Sequence, residues 1–355
     1  MAVLPNSLQP KPLQPQRPYG TLVMAIQRAR KMKMLQVTSP REFKVLDVPI
    51  PKAGSGEVLV RITAVTTCPQ WDLHLRHNEP MFVGHSFHYP FTPGKPGHEA
   101  VGYIEAVGDG VADLKTGDRV CTWRDSGADH NGCYAQYVAI DAARVISVPE
   151  ELPDEALAPL ELAMCVAACF RMLSDMDAIR GRCFGVSGLG AAGLIALQMA
   201  KAEGAKEVYG FDIMPDRHAI AESLGATGCY DPRTDLSEAF PARPEWPKLE
   251  SSVDCVGARA SVEFLMDRTQ DALALFGVQR EDYTFSPRHC GGLRLCGYKG
   301  HSRESAEYAL DLIRQGKLDL AALVTHKLPL ERYAEGIDLL EKRQAIKVCF
   351  LPWEE

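Results

Sequence analysis

From Met34 onward, apolar and polar positions alternate along the chain. MLQVTSPREFKVLDVPIP and GEVLVRITAVTTC carry apolar side chains at close to every second residue between Pro and Gly punctuation, which predicts short strands. HEAVGYIEAVGDGV, GDRVCTW and CYAQYVAIDAARVISVP continue as strands separated by frequent turn signals, the pattern of a compact β domain. Near Pro153 the period changes. PDEALAPLELAMCVAACFRML has helical spacing, and strands then alternate with helices: CFGVSG, a helix to Ala202, EVYGFD, a helix over RHAIAESLG, and SSVDCVG. That alternation predicts parallel βαβ units. GLRLCGYKG reads as one more buried strand, SAEYALDLIRQGK as a helix and AIKVCFLP as a last strand, with no internal repeat.

The 355 residues are 46% hydrophobic and 24% charged, enough apolar material for two domains. A net charge of −7 lacks the basic field that nucleic acid requires and leaves a small molecule as the expected ligand. Eleven cysteines scattered singly read as reduced thiols, which makes the cytoplasm the expected compartment. No run of about 18 uninterrupted apolar residues predicts a membrane span. Residues 1–31 are rich in Pro and Gln and end in a basic stretch. Their prolines break the amphipathic helix of an organellar transit segment, so a flexible extension is expected.

Gly188-Leu189-Gly190-Ala191-Ala192-Gly193 follows an apolar strand and opens a helix of good helix formers. In that context the spacing predicts a dinucleotide turn whose first-turn amides face a pyrophosphate. Gly188 permits the turn, Gly190 the approach of phosphate, and Gly193 the packing of helix on strand. Asp212 ends the next strand, 24 residues after Gly188, where a carboxylate accepts from ribose hydroxyls and repels a 2′-phosphate; NAD is therefore expected over NADP. Arg217 either touches the adenosine edge or is solvated.

Cys68, His98 and Glu99 precede this segment. Thiolate, imidazole and carboxylate are the ligand types of zinc, and a catalytic zinc takes three protein ligands and keeps one open position. On spacing alone, an ordinary buried Cys and a structural His explain the same residues.

PGHEAVGYIEAVGDGVADLKTGDRV resembles the signature of the zinc-containing medium-chain alcohol and polyol dehydrogenases. GLGAAG, FDIMPDR, VDCVG, GLRLCGYKG, LVTHKLPLERYAEGIDLL and IKVCFLP follow that family's order from about Met34 to Pro352. The resemblance implies an α/β fold: a GroES-like β-barrel catalytic domain over 32–164, a Rossmann doubly wound parallel sheet binding NAD over 165–302, and a return to the catalytic domain over 303–355. It also implies that Cys68 and His98 bind zinc, that Glu99 binds or steadies it, and that Glu161 replaces the cysteine of other members, with Cys165 a substitute. Asp72 and His74 correspond to catalytic Asp and His residues of the family. The same resemblance implies that Cys255, Val256, Gly297 and Tyr298 line the nicotinamide and that Lys347 contacts a cofactor phosphate, unless it is simply an exposed lysine.

Two departures change the picture. CPQWDLH is one residue longer than the family's loop and lacks its relay Ser/Thr, leaving Thr67, Gln70 or a water for that role. The lobe of four closely spaced cysteines is missing from CTWRDSGADHNGCYAQY, so one catalytic zinc and no structural zinc are expected; Asp125, Asp129 and His130 read as a solvated loop. Trp71, His85, His88 and Tyr89 are candidates for the substrate pocket or for packing. DRTQDALALFGVQREDYTFSPRHCGG reads as a variable excursion that caps the cleft or forms a subunit contact. The implied activity is hydride transfer between NAD and a secondary alcohol or polyol hydroxyl in a homodimer or homotetramer. The alternatives are a zinc-free quinone or enone reductase and a non-catalytic nucleotide-binding relative.

Overall fold

The computed structural model describes residues 30–354 apart from 83, 126, 128 and 299. The expectation for 1–31 lies outside the described residues, except that Lys31 already opens the first strand. Strands β1 (Lys31–Ser39) and β2 (Glu42–Pro49) form a hairpin. β3 (Glu57–Thr66) is the axis of the catalytic sheet and is followed by helix α1 (Pro69–His77). It pairs with β4 (Glu99–Val107) and β6 (Tyr137–Asp141), while β5 (Arg119–Thr122) joins β4 to β7 (Val145–Ser147). The C-terminal strands β14 (Val324–Pro329) and β15 (Lys347–Leu351), separated by helix α8 (Tyr333–Glu341), complete this sheet because β15 pairs with β3. Alternation in β3 sends Val58, Val60 and Ile62 into a core shared with Ile104, Val348 and Phe350.

The intervening segment forms a six-stranded parallel sheet. Its strands are β8 (Cys183–Ser187), β9 (Glu207–Phe211), β10 (Gly228–Tyr230), β11 (Leu249–Asp254), β12 (Thr269–Leu275) and β13 (Arg294–Gly297). Helices α4 (Ala191–Ala202), α5 (Pro215–Ser223) and α6 (Arg259–Arg268) make the crossovers. The order β10-β9-β8-β11-β12-β13 reverses between β8 and β11, which places a ligand crevice at the carboxyl ends of those two strands.

Helices α2 (Asp154–Leu157) and α3 (Leu160–Asp175) divide one helical run at Pro159, which lacks the amide that a continuous helix needs. Asp154–Asp175 is apolar enough in composition to cross a bilayer, but 83% of its most apolar stretch is buried inside the protein. α3 packs into one core that reaches Ala64 and Val101 of the catalytic sheet and Phe184 and Val186 of β8. Phe170, fully buried, meets Phe184 at a ring separation of 5.6 Å.

Three readings of the sequence are corrected. TQDALAL is the buried parallel strand β12, taken as part of an excursion because Ala, Leu, Gln and Asp carry no strand signature. β13 is a half-exposed edge strand and not a buried one. Helix α7 (Arg303–Arg314), expected with the returning segment, buries Ala306, Ala309, Leu310 and Ile313 in the core of α3 and α4, so the chain rejoins the catalytic sheet only at Val324.

Candidate metal centre and nucleotide cleft

The glycine turn leaves β8 with Gly188 at φ +83°, and a side chain there would meet Val256 Cγ2 at 2.6 Å. A Cβ on Gly193 would lie 1.7 Å from the Gly188 carbonyl oxygen, so α4 packs directly on the turn. A Cβ on Gly190 would meet nothing within 4 Å, which leaves room for a phosphate beside the first turn of α4, opened by Ala191 and Ala192. Leu189 is fully buried, and its amide donates to Asp212 Oδ2 at 2.7 Å, while Oδ1 accepts from the Met214 amide at 2.8 Å. The cleft, of about 610 Å³, is lined by Gly188, Gly190, Asp212, Arg217 and Val256. Arg217 also donates to the carbonyls of Arg343 and Ala345, tying the two halves together at the cleft wall. Cys255 and Val256 follow β11, and the Cys255 amide donates to Ser187. Gly297 ends β13, and Tyr298 beyond it meets Phe276 edge-on at 5.6 Å.

Cys68 sits between β3 and α1 as the residue before Pro69, a favourable first residue of a helix. Its amide donates to Asp72 Oδ2 at 2.9 Å, and the hydroxyls of Tyr134 and Tyr333 donate to the same carboxylate at 2.9 and 2.8 Å. Asp72 is therefore corrected from a catalytic to a positioning residue: it is fully enclosed and fixes the Cys68 loop. The His74 ring lies 3.3 Å from the Glu79 carbonyl, and burial holds its pKa below the usual imidazole value.

His98 Nδ1 is 2.7 Å from the Pro96 carbonyl. That oxygen only accepts, so Nδ1 carries the proton and Nε2 is left to bind a metal. A Cys68 Sγ, a ring nitrogen of His98 and a carboxylate oxygen of Glu99 lie within 4.8 Å of one another. Glu161, in the first turn of α3, brings Oε2 to 3.6 Å from His98 Nε2. Burial disfavours charge on His98, but Glu161, Cys68 and Glu99 outweigh it and hold the ring well above its usual pKa. Burial likewise opposes charge on Glu161, but His98 and His301 hold it below the usual carboxylate value. A pocket this anionic favours a divalent cation as it favours a proton.

Glu99 Oε2 accepts from the Thr66 hydroxyl at 2.9 Å and from Lys347, whereas its buried Oε1 has no partner. The enclosed, unpaired oxygen beside Cys68 and His98 fits a zinc site. Lys347 is corrected on both expectations: it is neither exposed nor at a cofactor phosphate, because its side chain is fully buried against Glu99 and the Thr67 carbonyl. Thr67 accepts from the Val348 amide, whereas the amide nitrogen of Gln70 is enclosed without a partner.

His301 lies in no motif that marks it as a site residue. Its Nε2 lies 2.6 Å from Glu161 Oε1, and the Cys165 thiol approaches the same oxygen at 3.5 Å. Burial, then Glu161, pushes Cys165 well above the usual thiol value, so it serves as a neutral donor. Trp71 and His85 join Phe87 in an edge-on aromatic cluster, and Tyr89 donates to the Leu75 carbonyl. His88 approaches the Ser86 hydroxyl at 3.5 Å. Asp125 pairs with Lys95 at 3.1 Å, Cys121 donates to the Leu157 carbonyl, and burial pushes Cys133 up to about 12.

Residues 54–150 match the alcohol dehydrogenase GroES-like domain and residues 191–315 the zinc-binding dehydrogenase family, together well over half of the chain. L-threonine 3-dehydrogenase of Proteus mirabilis is 25% identical over 338 residues, 87% of this chain and 95% of its own. An alcohol dehydrogenase of Geobacillus stearothermophilus is 29% identical over 332 residues, 86% and 94% of the two chains. Galactitol-1-phosphate dehydrogenase from Escherichia coli shares the fold with a TM-score of 0.78 at 24% identity, covering 90% of this chain and 100% of that one. The two matched domains agree with the two halves of the fold, and the chain belongs to the zinc-containing medium-chain dehydrogenase/reductase family, with an alcohol dehydrogenase GroES-like domain and a zinc-binding dehydrogenase domain.

Proposed function

We propose that the protein oxidises a secondary alcohol or polyol to the ketone with NAD, at one zinc held by Cys68, His98 and Glu161 with Glu99 behind them. The observation that carries this reading is the convergence of Cys68, His98 and Glu99 within 4.8 Å, with Glu161 facing the free nitrogen of His98. When bound, zinc lowers the pKa of a coordinated hydroxyl and NAD accepts the hydride.

The chain's own residues supply orientation. Pro96 fixes the His98 ring, Asp72 fixes the Cys68 loop, and Lys347 neutralises Glu99. Gly190 and the first turn of α4 receive the pyrophosphate, Asp212 the adenosine ribose, and Cys255, Val256, Gly297 and Tyr298 flank the nicotinamide. Arg217 borders the adenosine end. Gln70, whose side-chain amide nitrogen is enclosed without a partner close after Cys68, can orient a hydroxyl but cannot take its proton, and His74 is the group assigned to pass that proton outward. The relatives named for threonine and galactitol 1-phosphate extend the substrate class to hydroxyls on polar carbon chains. The protein works in the cytoplasm as a homodimer or homotetramer.

The test is NADH formation by the purified protein against secondary alcohols, diols, sugar alcohols and their phosphates, and L-threonine. Turnover with at least one, abolished in Cys68→Ala, supports the proposal; NADH binding without turnover of any alcohol or ketone contradicts it.

A further inference from the structure

The metal constellation includes one group from the nucleotide-binding half. α7 packs against α3, and the loop between β13 and α7 is tied to α3 at two places. Arg171 of α3 donates to the hydroxyls of Ser302 and Ser305 at 3.3 and 3.4 Å, and Ser302 caps α7 by accepting from the Ser305 amide at 3.1 Å. The residue before that cap is His301, whose ring reaches Glu161.

We propose that His301 is a positioning residue of the metal centre, saturating Glu161 Oε1 so that Oε2 alone is presented toward His98 Nε2. This rests on the reading of Glu161 as a ligand. A carboxylate only accepts, so the 2.6 Å contact requires His301 Nε2 to donate, and a short bond to a charged acceptor is of the strong class. The Cys165 thiol approaches the same oxygen, while Oε2 faces His98 Nε2 at 3.6 Å. Without His301, Glu161 rotates about its side-chain bonds and offers either oxygen. The ordering of that ligand is then lost from metal binding.

Zinc affinity by chelator competition, and the visible spectrum of the cobalt(II)-substituted protein, test this in the full chain without reference to activity. Removing a residue that orients a ligand weakens metal binding about 10–100-fold, which is the loss expected for His301→Ala. His301→Leu repeats the comparison with the volume retained if the alanine variant does not fold. His301→Gln, which keeps an N–H donor, is expected to recover most of the affinity and the cobalt bands. Wild-type affinity and an unchanged cobalt spectrum in the donor-less variants, with Glu161→Gln still weakened, overturn the inference alone. Unchanged affinity in Glu161→Gln removes the ligand assignment and the inference with it.

Discussion

Lys347 donates to Glu99 with both side chains completely excluded from solvent, although 248 residues separate them. The pair joins the last strand to the strand that begins at Glu99, directly after His98. Removing one partner of a buried ion pair strands the other charge, at a cost of about 3–5 kcal/mol. Lys347→Met is therefore expected to lower stability to urea by that order, and Lys347→Met with Glu99→Gln by clearly less. Equal losses in the single and double variants would show that the charge pairing is immaterial.

The two glycines of the nucleotide turn separate folding from binding. A Cβ on Gly193 collides with the Gly188 carbonyl, whereas one on Gly190 meets only open space. Gly193→Ala should destabilise the fold by about 1–3 kcal/mol, as overpacking does. Gly190→Ala should leave the thermal midpoint nearly unchanged and weaken NADH binding at least tenfold on the order expected for a blocked phosphate contact. Fluorescence titration with NADH and thermal unfolding check both.

Asp212 holds the turn through Leu189 and faces the adenosine end of the cleft. Asp212→Ala removes the group that accepts from the ribose and repels a 2′-phosphate. The expected outcome is weaker NADH binding together with a smaller preference for NADH over NADPH, read by parallel titrations. A preserved preference contradicts the assignment.

Burial raises the Asp72 carboxyl to about 6 from 3.8, against the hydrogen bonds from Tyr333, Tyr134 and Cys68 that favour its charge. The folded chain holds this proton more tightly than the unfolded one. The group's stabilising contribution is thus present below about pH 4 and is lost as pH rises through about 6, a change on the order of 3 kcal/mol. Urea unfolding of metal-free protein between these limits should show the wild type losing stability with rising pH relative to Asp72→Asn. A constant difference between the two contradicts this.

The parts of the site legible in the sequence are those carried by local pattern. Gly188, Gly190 and Gly193 announce themselves between an apolar strand and a helix, and Cys68 and His98 stand at strand ends within recognisable motifs. His301 does not, because it meets Glu161 only after α7 folds onto α3, 140 residues along the chain. Lys347 misled for a related reason: a lysine in a final strand reads as exposed unless its buried partner is known. The β12 strand was hidden by helix-forming composition, since burial between β11 and β13 and not propensity makes TQDALAL a strand. Asp72 was visible as a residue but not as a scaffold, because Tyr134 and Tyr333 approach it from distant segments.

Elemental analysis of protein purified without chelator tests the central claim most directly. About one zinc per chain, lost together with alcohol-dependent NADH formation in Cys68→Ala and His98→Ala, is the predicted result for a catalytic site. Protein that binds NADH and turns over its substrate while containing no zinc would contradict it.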